Sequence, residues 1–175
     1  MPRPPIVTII GTKKQGKTTL TVKLAAEMHR RGHRVMTMKH GSHTFNIDPS
    51  TTDTYKHYHE GHAERVAMVS PDKFALIERW TEERSPEDIA ERYLSEADIV
   101  IAEGFKAAPL PKIEIWRRET GKTPLYEAGS EQSAHYIAIA TDDPTMKAHV
   151  PLVLFSDPEW VTRLANLVET KVMNT

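Results

Sequence analysis

Residues 5–32 read PIVTIIGTKKQGKTTLTVKLAAEMHRRG, and this stretch decides the fold. Pro5 to Ile10 is a β-branched run, the pattern of a central parallel strand buried on both faces. From Lys17 to Arg31 the apolar residues Leu20, Leu24 and Met28 recur every fourth position, which is one face of a helix, and Gly32 stops it. Between strand and helix lies GTKKQGKTT, which fits G-x-x-x-x-G-K-[ST] at Gly11, Gly16, Lys17 and Thr18. A loop that leaves a buried strand and opens an amphipathic helix aims backbone N–H groups and the positive helix end at a polyphosphate. Gly11 and Gly16 permit the close approach and backbone angles that a side chain would block. In this motif Lys17 bridges the β- and γ-phosphates as the catalytic cation, Thr18 offers its hydroxyl to Mg²⁺, and Thr19 helps hold the α-phosphate. Lys13 and Lys14 add charge in mid-loop, either as phosphate contacts of this chain or a neighbouring one, or as solvated lysines.

Outward from the loop, strand and helix patterns alternate. Arg34 to Lys39 returns to strand, and a polar stretch with Gly41 and Pro49 leads to a short helix over Asp53 to Glu60, ended by Gly61. Ala63 to Val69 and Phe74 to Glu78 read as a hairpin turned at Ser70-Pro71-Asp72. Ser85-Pro86-Glu87-Asp88 supplies a cap, a proline at the first helical position and first-turn acids for a helix reaching Leu94. Asp98 to Ala102 is a buried strand, while Lys112 to Trp116, KIEIW, alternates as a half-exposed one should. After a loop over Arg117 to Gly129, His135 to Ala140 and Val150 to Phe155 are further strands. Asp157-Pro158-Glu159 then opens a last helix with Trp160, Leu164, Leu167 and Val168 on one face. The expectation is a single α/β domain over residues 1–175 with the P-loop NTPase arrangement, a mainly parallel sheet flanked by helices and interrupted by a hairpin excursion.

The 175 residues contain no cysteine, which excludes a disulfide framework, thiolate metal sites, iron–sulfur clusters and cysteine nucleophiles. With 23 Lys plus Arg against 24 Asp plus Glu, there is no basic excess to recommend nucleic acid as a partner. No apolar run approaches the ~18 residues of a membrane span, and MPRPPIVTIIG lacks a secretory pattern. A soluble cytoplasmic domain is expected.

A phosphate loop needs a carboxylate at a nearby strand end to orient Mg²⁺. DIVIAEGF supplies Glu103 at the carboxyl end of its strand, where open α/β sheets place ligand sites. Asp48, in the long loop after the second strand, is a second candidate for metal or water positioning, or a turn opener before Pro49. His40, His43, His57, His59 and His62 lack the spacing of a zinc pair; His40 and His43 read as polar contacts to phosphate or Mg²⁺-bound water.

Taken together, GTKKQGKTT, RGHRVMTMKHGSH, FNID with DTYKH after it, SPDKFALIE and ADIVIAEGFKAAPLPKIEIWR resemble the molybdopterin-guanine dinucleotide biosynthesis protein B (MobB) family, in family order over the first two thirds of the chain. The resemblance implies a homodimeric P-loop NTPase that binds GTP with weak hydrolysis and assists the guanylyltransferase MobA in attaching GMP to molybdopterin. It implies phosphate contacts at Gly16, Lys17, Thr18 and Thr19 and a metal or nucleotide acid at Glu103; Lys39 and His40 match the family's KH segment, His40 as a nucleotide contact, and Asp48 matches the acid that follows it. Lys106 and Lys112 fall in the EGFK-to-PKIE stretch, where contact with the pterin phosphate or the partner enzyme is expected. The family's Lys-Pro-Gly-Lys-Asp-Ser run is Pro49 to Thr54 here, without its basic residue and glycine, and the deviant-Walker lysine is Thr12.

Guanine selectivity commonly uses an aspartate of an NKxD motif, absent here; Asp142 in Thr141-Asp142-Asp143 is its substitute, the alternative being a turn at Asp143-Pro144. No Gln or Arg finger stands out, which predicts slow turnover. Two other readings compete with the GTP-binding accessory protein. One is an ATP-using small-molecule kinase with Asp48 as base, disfavoured by the acids Glu82, Glu83, Glu87 and Glu91 among Arg79, Arg84 and Arg92. The other is a non-catalytic nucleotide-binding adapter presenting Lys106 to Trp116 as a sheet edge.

Overall fold

The computed structural model describes residues 3–41 and 48–174. In chain order the elements are β1 (Ile6–Ile10), α1 (Lys17–Arg30), β2 (Val35–Lys39), α2 (Asp53–His59), β3 (Arg65–Val69), β4 (Phe74–Glu78), α3 (Pro86–Tyr93), β5 (Ile99–Glu103), β6 (Lys112–Trp116), β7 (Tyr136–Thr141), β8 (Leu152–Leu154) and α4 (Trp160–Val168). Every strand and helix expected from the sequence is present, with ends moved by one or two residues. The chain divides into two compact units, Met1–His40 with Ser85–Thr175, and Gly41–Arg84.

The larger unit is built on a six-stranded sheet in the order β2-β5-β1-β6-β7-β8, with every pairing parallel. Alternating side chains of the central strands serve opposite faces. Val7, Ile9, Ile99, Ile101, Ile113 and Ile115 pack with Leu20, Leu24 and Met28 of α1 and Leu164, Ala165 and Val168 of α4. On the other face Ile6, Val100 and Ala102 meet Ala90 of α3. Each large aliphatic side chain so hidden contributes roughly 1.5–3 kcal/mol, which is why the β-branched runs sit at the centre. Ser85 caps α3 by accepting the Asp88 N–H at 3.1 Å, with Pro86 at the first helical position.

KIEIW corrects a sequence expectation. Its alternation suggested a half-exposed edge, yet β6 lies between β1 and β7 and all five residues are buried. Its polar side chains find their partners inside the protein. Lys112 Nζ donates to the carbonyls of Ala108 and Leu110, and the Glu114 carboxylate accepts the N–H groups of Leu125 at 2.6 Å and Tyr126 at 2.9 Å. Alternation therefore reported two faces of different chemistry, not a dry face and a wet one. Lys112, 1% exposed, is a structural cation here; the expected contact with a ligand or partner enzyme does not hold for it, and the edge-presenting adapter loses its edge.

The smaller unit contains α2 and the antiparallel pair β3-β4, in register from Arg65↔Glu78 to Val69↔Phe74. Thr52 caps α2 by accepting the Tyr55 N–H at 3.3 Å. The hairpin turn is fixed by Ser70, whose hydroxyl accepts the Lys73 N–H at 3.1 Å and donates to Asp72 at 2.9 Å. Met68, Val69, Phe74 and Leu76 are exposed on it. Among the described residues no helix is long and apolar enough to cross a membrane.

Candidate nucleotide-binding site

Parallel strands bring their carboxyl ends to one edge, so residues far apart in sequence meet there. Along this edge stand the Gly11–Gly16 loop after β1, Lys39 and His40 at the end of β2, Glu103 at the end of β5, Arg117 after β6 and Asp142 after β7.

The loop's shape depends on its glycines. Gly11 has φ +151°, and a Cβ there would stand 2.5 Å from the Ile115 carbonyl oxygen, so β1 turns into the loop with backbone pressed on β6. Gly16 has φ +100° and leads into α1 without any side-chain cap, and no acid occupies that helix's first turn. The first-turn amides and the positive helix end thus carry no side-chain anion of their own, whereas α2 and α3 have hydroxyl caps. Such a helix start suits a phosphate group. Lys14 is exposed with φ +70°, at the outer bend of the loop.

Lys17 folds back over the loop, its Nζ donating to the carbonyls of Gly11 at 3.1 Å and Thr12 at 3.0 Å. Its pKa is lowered from the ordinary lysine value, first by burial and further by the charges of Lys106, Lys39 and Lys122, with Glu103 opposing. The ammonium is held among like charges, an arrangement that an arriving polyanion relieves. Thr18 Oγ1 donates toward the Glu103 carboxylate, 2.9 Å from one oxygen and 3.1 Å from the other. Lys39 Nζ is 3.2 Å from Glu103 Oε1. A hydroxyl and a buried carboxylate on the same spot are the hard oxygen donors Mg²⁺ takes beside a nucleotide. The pair expected from the sequence therefore assembles, and with the glycine cradle it fits Mg²⁺ and a polyphosphate. Thr19 is exposed in the first turn of α1.

His40 is placed by the turn after β5. Its N–H donates to the Glu103 carbonyl at 2.9 Å, and its ring lies 4.9 Å from that of Phe105. Gly104 has φ +100°, and a Cβ on it would come within 3.0 Å of His40 Cβ. Asp142 and Asp143 take different tasks. Asp143 forms the turn, accepting from Thr145 N–H at 2.8 Å and Thr145 Oγ1 at 2.7 Å, and these bonds lower its pKa. Asp142 is exposed and accepts the Arg118 N–H at 2.7 Å. Asp48 belongs to the Gly41–Arg84 unit, where its Oδ2 is buried and makes no hydrogen bond to a described residue. His43 lies outside the described residues.

The sequence reading missed the group behind the loop. Gln15, fully buried, donates through Nε2 to Thr12 Oγ1 at 3.2 Å and Thr120 Oγ1 at 2.7 Å, and accepts the Arg117 N–H at 2.6 Å. Lys122 Nζ donates to the Lys13 carbonyl at 2.6 Å. Apart from Thr12, three positions away, these partners lie about a hundred residues off in sequence, and no local spacing announces them.

A strand, a glycine loop and a helix on a mostly parallel, helix-flanked sheet define a P-loop NTPase fold. The model of the family described as molybdopterin guanine dinucleotide synthesis protein B matches residues 6–142, and the chain belongs to that family. A Haemophilus influenzae molybdopterin-guanine dinucleotide biosynthesis adapter protein is 32% identical over 146 residues, 80% of this chain and 76% of that one. Its Escherichia coli counterpart of the same description is 30% identical over 161 residues, 89% of this chain and 87% of the relative. A crystal structure of molybdopterin-guanine biosynthesis protein B superposes with a TM-score of 0.68 at 28% identity, covering 94% of this chain and 98% of the other. Bacillus subtilis MobB shares the fold at a TM-score of 0.68 and 24% identity, with 93% and 97% covered.

Proposed function

We propose that this chain is a GTP-binding adapter of molybdopterin-guanine dinucleotide biosynthesis. In this reading Gly11, Lys14, Gly16, Lys17, Thr18 and Thr19 hold the phosphates, and Thr18 and Glu103 hold Mg²⁺. His40 makes a polar contact, and Asp142 reads the guanine. Mg²⁺ when bound would neutralise the phosphate charge. Lys17 would hold the β- and γ-phosphate oxygens, and the loop amides would orient them. The observation that carries the reading is the Thr18–Glu103 pair beside the glycine cradle, in a chain of a family described by molybdopterin guanine dinucleotide synthesis.

Hydrolysis in this reading is slow, and the chain assists a MobA-type guanylyltransferase in the cytoplasm. Lys106, an exposed residue whose charge reaches Lys17, is the contact for a molybdopterin phosphate. The chain works as one nucleotide-binding domain with residues 41–84 as its excursion, and as a homodimer. The apolar side chains Met68, Val69, Phe74 and Leu76 exposed on the hairpin support self-association.

Equilibrium competition of GTP against ATP with Mg²⁺, with Lys17→Ala as control, tests the reading. Selective GTP binding lost in the variant is expected. ATP preference would favour the small-molecule kinase instead, and binding of neither nucleotide would remove nucleotide binding from the function.

A further inference from the structure

Arg117, like Lys122, grips the backbone of the phosphate loop from outside it. Arg117 leaves the end of β6 and donates from Nε to the Gln15 carbonyl at 3.2 Å, while its backbone N–H donates to Gln15 Oε1. Its guanidinium rests 4.5 Å from the centre of the Phe155 ring, and NH1 stands 3.4 Å from Glu119 Oε1. Arg117 Nε and NH2 lie 3.7 and 3.9 Å from where a Cβ of Gly16 would be. Thr120 closes the group, its hydroxyl donating to the Arg117 carbonyl at 2.8 Å while accepting from Gln15 Nε2.

A peptide unit is planar and trans, so the carbonyl of one residue and the N–H of the next point in opposite directions. Pinning the Gln15 carbonyl onto Arg117 turns the Gly16 N–H away from Arg117. Glycine at 16, with φ +100°, gives that peptide little stiffness of its own. We propose that Arg117 is the positioning residue of the phosphate loop, fixing the Gln15–Gly16 peptide so that the Gly16 N–H faces the polyphosphate before it arrives. The inference rests on the nucleotide-binding reading above and adds a residue to it. Preorganised donors cost no reordering when the anion binds, which is where the affinity comes from.

The test measures dissociation constants for Mg²⁺–GTP and for Mg²⁺ with inorganic tripolyphosphate, alongside apo melting temperatures. The proteins are wild type, Arg117→Met, Arg117→Lys, Thr120→Val and Lys17→Ala. A lost charge-assisted bond to the loop weakens Arg117→Met about tenfold for both ligands. Arg117→Lys, whose ammonium also reaches a carbonyl, recovers most of that loss. Thr120→Val, nearly isosteric, weakens both ligands about threefold, with apo melting within about 2 °C of wild type. Recovery by lysine with apo melting unchanged is what a merely structural defect would not produce, and equal loss for both ligands keeps Arg117 off the nucleoside. Should Arg117→Met fail to fold, the lysine and Thr120→Val arms decide alone.

Arg117→Met binding both ligands within twofold of wild type, while Lys17→Ala binds neither, would overturn the positioning role and leave the nucleotide site standing. Loss of GTP with tripolyphosphate retained would also overturn it, placing Arg117 on the nucleoside. Wild type binding neither ligand would bring down the nucleotide reading itself, and this inference with it.

Discussion

Thr18 Oγ1 lies 2.9 Å from one oxygen of Glu103 and 3.1 Å from the other, across 85 positions of sequence. The first helical turn and the strand-end acid are thus set on one point before any ligand is present. Glu103→Gln keeps the shape but removes the charge that a divalent cation needs. Affinity for GTP in Mg²⁺ should fall about tenfold or more, while affinity in EDTA stays within about twofold. Calorimetry in the two buffers checks this, and equal losses in both would detach Glu103 from the metal.

Lys17 gives the nucleotide affinity a pH dependence whose sign can be worked out. Burial lowers its pKa, aided by Lys106, Lys39 and Lys122 against Glu103. A polyphosphate contact raises it again, so between the two values binding takes up a proton. Affinity should therefore fall as pH rises through the free-state value. Calorimetry with the Mg²⁺ complex of inorganic tripolyphosphate, which has no guanine ring to titrate, at about pH 9 in buffers of different ionisation heat should show proton uptake larger than at about pH 7.5. Equal uptake at both would mean that Lys17 stays charged without a ligand.

Most of the sheet was legible because most of its buried parallel strands are apolar runs, as PIVTII, DIVIA and HYIAIA are. The phosphate loop was legible because its motif is local. What hid was non-local satisfaction of polar groups. Lys112 and Glu114 read as solvent-facing, but backbone carbonyls and amides from neighbouring loops supply their partners. Gln15, to which the motif assigns no role, is the buried hub of the loop. The turn at Asp143-Pro144 was one of two readings of that segment, and Thr145 forms it by donating to Asp143.

At Gly11 the constraint is backbone against backbone. An added Cβ would stand 2.5 Å from the Ile115 carbonyl oxygen, and neither the strand nor the loop can yield without breaking sheet pairings. Gly11→Ala should cost roughly 2–4 kcal/mol of stability and weaken nucleotide binding together. Urea denaturation reads the first and titration the second. A variant as stable as wild type would show that the β1–β6 approach is looser than described.

Glu114 carries the last prediction, because it ties the segment bearing Leu125 and Tyr126 onto β6. Burial raises its pKa above the ordinary 4.5, against the opposing pull of those two N–H groups and of Lys106. The nearby Tyr136 phenol is pushed up as well, by burial and by Glu114 itself. Between the ordinary and the raised value the folded protein keeps a proton that the unfolded chain has released. Stability from this group is therefore complete below the ordinary value and is lost as pH rises through the raised one. Glu114→Gln cannot titrate and still offers one amide oxygen to the N–H pair, so it lacks this slope. Wild type should lose unfolding free energy relative to Glu114→Gln as the pH is raised from about 4 to about 8, by urea denaturation at matched ionic strength. A gain of wild-type stability relative to Glu114→Gln over that range would show that the hydrogen bonds outweigh burial and keep Glu114 ionised in the folded protein, and a pH-independent difference would show that folding leaves its pKa unshifted.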